Sequence, residues 1–181
     1  MRIFAALRDA VAGWIALVRG DADWARHFTL SAAGLTTALV LFYFFAILSV
    51  ALASANVGMP NLFGMIIALL VQSLSILALW GGIVITRRMV PGGAPMLTLM
   101  VPGLYALIGY LIAGTVLSLF GGAVLIVLWV ALAGLLFCLG WRAGGWNVGV
   151  AAAFSVLTMV LLVGIPVTLY MLLGPPAAPT P

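Results

Sequence analysis

Catalysis needs titratable or nucleophilic groups brought together, and this chain carries few of them. It has one histidine, His27, one cysteine, Cys138, and three aspartates, Asp9, Asp21 and Asp23. The only grouping among them is Asp21, Asp23 and His27, with Asp23 and His27 one helical turn apart. Such a set reads either as three weak ligands for a cation, or as an N-cap, a helix-dipole interaction and a surface ion pair. The second gives each residue an ordinary role and is the expectation, so no metal and no other cofactor is predicted. Paired carboxylates for acid–base work are missing from every apolar stretch. Cys138 sits inside an apolar run and reads as a buried reduced thiol. The prediction is a protein that is not an enzyme.

The sharpest polar feature lies elsewhere. Gln72, Ser73 and Ser75 interrupt an apolar stretch near its middle. In lipid an amide needs a protein partner, because the hydrocarbon offers none. Tyr105, Tyr110, Ser155 and Thr158 are the candidates. Gln72, Ser73, Ser75, Tyr105 and Tyr110 therefore read either as an interhelical packing contact or as a polar cleft for a lipid or small molecule.

The elements that must hold these residues follow from composition. The chain has 181 residues, 66% hydrophobic and 6% charged, with a mean hydropathy of +1.37. Soluble domains are about half apolar and about a quarter charged. That excludes a soluble globule and implies an all-α integral membrane bundle. Five apolar runs reach the length of about 20 residues that a bilayer demands: 30–53, 62–86, 96–117, 122–140 and 148–173. Glycine, proline and asparagine fill the breaks between them. The third and fourth runs end to end would far exceed a ~30 Å core, so they form a hairpin at Phe120–Gly121–Gly122.

Seven arginines and three aspartates make up all the formal charge, for a net +4. The arginines form no continuous basic stripe, and no nucleic-acid partner is predicted. Arg2, Arg8, Arg19 and Arg26 precede the first run, Arg87 and Arg88 follow the second, and Arg142 follows the fourth. Five crossings from a cytoplasmic N-terminus put every arginine on the cytoplasmic side, as the positive-inside rule requires. The C-terminus then lies across the membrane, and the expected location is a bacterial-type inner membrane.

Residues 1–29 are predicted as an interfacial amphipathic helix with a short linker. Ile3, Phe4, Leu7, Val11, Trp14, Ile15 and Val18 recur at helical spacing, with Arg8, Asp9 and Arg19 on the remainder. Such a stripe either anchors the helix in the headgroup layer or docks a partner. Gly20 is expected to end it, and Asp21 to N-cap a turn carrying Trp24. Arg2, Arg8, Trp14, Arg19, Trp24, Arg87, Arg88 and Arg142 are the predicted membrane-surface anchors, with Trp80, Trp141 and Trp146 in the aromatic belt. Small residues recur at four-residue spacing around Gly109, Gly114, Gly140, Gly145 and Gly149, a candidate face for helix packing or a partner. Pro102 and Pro166 are expected to kink their helices. Residues 174–181, half of them proline, read as an extended tail.

The run Arg87–Arg88–Met89–Val90–Pro91–Gly92–Gly93 between the second and third spans, followed by Tyr105 and Tyr110, resembles the bacterial five-span members of the Yip family. The resemblance implies a non-enzymatic membrane protein acting through lipids and protein partners. The expected function is a scaffold, assembly factor or accessory subunit that contacts membrane lipid and other membrane subunits or itself. The alternative is a permease or channel-like protein for a small neutral or lipid-like solute.

Overall fold

The computed structural model describes residues 2–54, 58, 60–90, 92–117 and 123–173. The proline-rich tail and the turn at 120–122 lie outside the described residues, as do the side chains of Arg2 and Ile3. The described residues form helices and connections with no strand. Helix α1 spans Arg2–Arg19, α2 Ala32–Ala53, α3 Leu62–Met89, α4 Met96–Leu117, α5 Ala123–Cys138 and α6 Val148–Leu173. A 3-10 segment, Ala22–His27, follows α1, and a π-helical turn, Leu139–Ala143, closes α5. Five of these units are long and apolar enough to cross a membrane: α2, α3, α4, α5 with its π turn, and α6.

Local chemistry sets several boundaries. Ser31, Asn61 and Asn147 stand just before α2, α3 and α6. Each side-chain oxygen accepts a hydrogen bond from a backbone N–H three residues on, at 3.2, 2.8 and 2.9 Å. Those bonds satisfy donors that the first turn leaves open. Gly20 ends α1 in the left-handed region, at φ +82°. Its N–H reaches the Leu17 carbonyl and the Asp21 N–H reaches that of Ala16, which closes the helix end. Asp21 stands at the N-cap position of the 3-10 segment, but its side chain makes no capping bond there. Helical backbone runs on past Pro102 in α4 and Pro166 in α6, although neither proline has an N–H to donate to the carbonyl four residues earlier.

Helix α4 is the centre. Its buried residues run from Leu99 to Leu111 and include Pro102 and Gly103. It packs on α2, α3 and α5, while α6 joins α3 and α5 at the back of the bundle. Side-chain hydrogen bonds stitch the pairs. Tyr43 and Ser73 join α2 to α3 at 2.8 Å, and Ser49 and Thr115 join α2 to α4 at 2.7 Å. Ser155 donates to the Ala133 carbonyl, joining α6 to α5 at 2.7 Å. The 92–95 connection is tied to the opposite loop by Ala94 N–H donating to the Gly144 carbonyl at 3.3 Å.

Helix α1 docks on the outside of α4, α5 and the π turn. Of the expected apolar stripe, Trp14 turns to the bundle and is buried with Ala10 and Leu17, while Phe4, Val11, Ile15 and Val18 stay exposed about a quarter turn away. Its apolar arc is wide enough for one flank to meet protein and the other to remain open. The segment after α1 folds back so that Phe28 packs on Gly13 and lies 5.9 Å, centroid to centroid, from the Tyr105 ring. That wedge fixes α1 against α4.

Candidate functional site

The polar residues singled out in the sequence fall into two places. On α3, Ser73 is engaged by Tyr43 of α2 and also donates to the Leu69 carbonyl at 2.8 Å. Gln72 and Ser75 beside it are half-buried. Tyr105 and Tyr110 lie on α4 and line a cavity of about 560 Å³ between α1, α4 and α5. Gln72, Ser73 and Ser75 do not line that cavity, so the structure does not bring the five residues together. Ser155 and Thr158 also find other surroundings: Ser155 bonds α5, and Thr158 is fully buried against Gly82.

The cavity is an apolar groove with a few polar groups in its wall. Its volume is within the ~300–1,000 Å³ range of small-ligand sites. Leu132 and Leu135 of α5 and Ile108 of α4 supply much of its wall. Trp14 lines it from α1, only 8% exposed, and its indole Nε1 has no hydrogen-bond acceptor. Among the described residues, no hydrogen bond forms at the Tyr105 or Tyr110 hydroxyls, although Tyr110 packs edge-on to Trp129 at 5.9 Å. Arg19 lines the groove at the C-terminal end of α1. Beside it the Arg142 guanidinium lies against Gly20, with its Cζ 4.2 Å from the Trp141 ring centroid. Neither arginine forms an ion pair among the described residues; the two pairs there are Arg8 with Asp9 and Arg26 with Asp23.

A second groove, of about 600 Å³, runs between α5 and α6 past Trp129, Ala133 and Met159. Its one hydroxyl, Ser155, is already spent on the Ala133 carbonyl.

The candidate small-residue face is also dispersed. Gly140 is buried, and a Cβ there would lie 3.1 Å from Phe154 and Trp146, inside the bundle. Gly114 faces Leu128 of α5, Gly145 holds a left-handed turn at φ +67°, and Gly149 is exposed beside Asn147. Gly109 lines the α1 groove with nothing near its Cβ position. Of the anchors, Arg8 and Arg88 are exposed, Arg87 and Trp24 are half-buried, and Trp24 packs on Phe28. Trp146 faces inward, 4% exposed. Among the described residues no three of His, Cys, Asp or Glu converge as metal ligands. The contacts that sequence reasoning missed are Arg142 on Gly20 and the burial of Ala10 and Leu17. All three depend on where α1 docks, which carries no local signal.

No family model matches the chain, and no match was found among curated proteins or solved structures.

Proposed function

We propose that this is a multi-pass protein of a bacterial-type inner membrane that works without catalysis, as a scaffold, assembly factor or accessory subunit of a membrane complex. Its N-terminus is cytoplasmic and its C-terminus lies across the membrane, the arrangement that puts every arginine on the cytoplasmic side. Helix α1 sits at the cytoplasmic headgroup layer. One observation carries the reading: the hydroxyls of Tyr43, Ser49, Ser73, Thr115 and Ser155 are used to join helices to one another. These five hydroxyls thus hold the bundle together, and exposed apolar faces remain for neighbours.

The test is site-specific photo-crosslinking in the native membrane from outward positions such as Leu70 and Val160. A discrete protein adduct of constant mass is expected from one face. A ladder of lipid adducts alone from every face would remove the reading.

A permease for a lipid-like solute is the second reading, favoured by the groove between α1, α4 and α5. It requires that solute flux in proteoliposomes fall when Gly109→Leu fills the groove.

A further inference from the structure

We propose that the groove between α1, α4 and α5 is a binding site for one anionic glycerophospholipid, with its headgroup at Arg19 and Arg142 and an acyl chain along the apolar wall. The site holds whether the protein works as a subunit or as a permease; it requires only that the five apolar helices lie in a bilayer.

Three features converge on that ligand. The first is shape: an open groove walled by leucine and isoleucine, with Gly109 leaving a gap where any other residue would project a side chain. The second is the kind of polar group present. The Trp14 indole N–H can only donate, and it is buried without an acceptor. The Tyr105 and Tyr110 hydroxyls in the same wall are also free to donate. Ester and phosphate oxygens only accept, which matches this wall. A transmembrane helix from another protein presents a backbone already bonded to itself and leaves the donors unanswered.

The third feature is charge. Arg19 lines the groove, and the Arg142 guanidinium rests on Gly20, the next residue in the chain. Arg142 thus reaches the residue next to Arg19 from a different element, and neither arginine is paired with a carboxylate among the described residues. Arg142 reaches that position because Gly20 has no side chain; a Cβ at Gly20 would overlap the guanidinium. A phosphodiester suits such a pair, since arginine forms charge-assisted hydrogen bonds to phosphate.

The full-length protein, stripped of lipid in a mild detergent, is titrated with phosphatidylglycerol or with phosphatidylcholine of the same acyl chains. Bound lipid is counted by native mass spectrometry. One phosphatidylglycerol per protomer is expected, at concentrations where phosphatidylcholine binds weakly. Arg19→Gln and Arg142→Gln should each weaken phosphatidylglycerol binding roughly fivefold, the size of one basic side chain's attraction to an anionic membrane surface. Arg87→Gln, outside the groove, should leave it unchanged. Gly109→Leu raises helix propensity while filling the groove, so it should abolish binding of either lipid in a folded protein. Equal retention of the two lipids would overturn the proposal. So would phosphatidylglycerol retention that survives both the double arginine change and Gly109→Leu.

Discussion

Thr158 of α6 lies against Gly82 of α3 so closely that a methyl group on Gly82 would overlap its hydroxyl. Phe154, one turn earlier on α6, comes within 3.5 Å of the same position. Where lipid tails are as apolar as the side chains, helices associate through such close approach. Gly82→Leu should therefore destabilise the bundle by roughly 1–3 kcal/mol through overpacking, read as a lower midpoint of thermal unfolding in detergent.

The same contact yields a prediction of opposite sign. The Thr158 hydroxyl is fully buried and has no hydrogen-bond partner. Thr158→Val keeps the shape and removes an unsatisfied polar group, so stability should hold or rise. A clear fall in the midpoint would show that the hydroxyl is bonded.

Tyr43 and Ser73 supply a different case, an interhelical bond at 2.8 Å between α2 and α3. Such bonds in membranes average about 0.6 kcal/mol. Tyr43→Phe should cost about that much and no more, because Ser73 keeps its bond to the Leu69 carbonyl. Equilibrium unfolding in mixed micelles measures the difference.

Gly145 has the backbone that glycine favours, at φ +67°. A side chain there is strained by about 1–2 kcal/mol. Gly145→Leu should thus lower stability directly, whereas Gly109→Leu, in open space on α4, should not. Comparing the two variants by thermal unfolding separates a turn from a groove.

Membrane orientation is open to a chemical test. In a Cys138→Ser background, Arg88→Cys should be protected from an impermeant reagent added outside, and Asn56→Cys should react. Labelling in the reverse pattern would invert the proposed topology.

The helical class and its five apolar helices are legible because a bilayer asks each crossing for about 20 apolar residues, and charges and glycine-rich breaks mark the ends. Side-chain destinations are less legible. Trp146 stands in sequence beside Trp141 and Arg142 and reads as part of the aromatic belt. The π turn and the left-handed Gly145 instead carry it inward, 5.2 Å between ring centroids from Phe154 and hard against Gly93. On α1 the apolar arc covers about half the helix, so periodicity alone does not choose between Trp14 and Ile15 as the side facing protein. Tyr105 and Gln72 sit on packed neighbours, α4 and α3, yet the face each presents depends on helix rotation, which no local pattern encodes.

The most direct test of the central claim is native mass spectrometry of the protein extracted gently from its own membrane. The chain should emerge together with a second polypeptide at fixed stoichiometry. A protomer that emerges alone, with no protein companion under conditions that keep other membrane complexes whole, would contradict it.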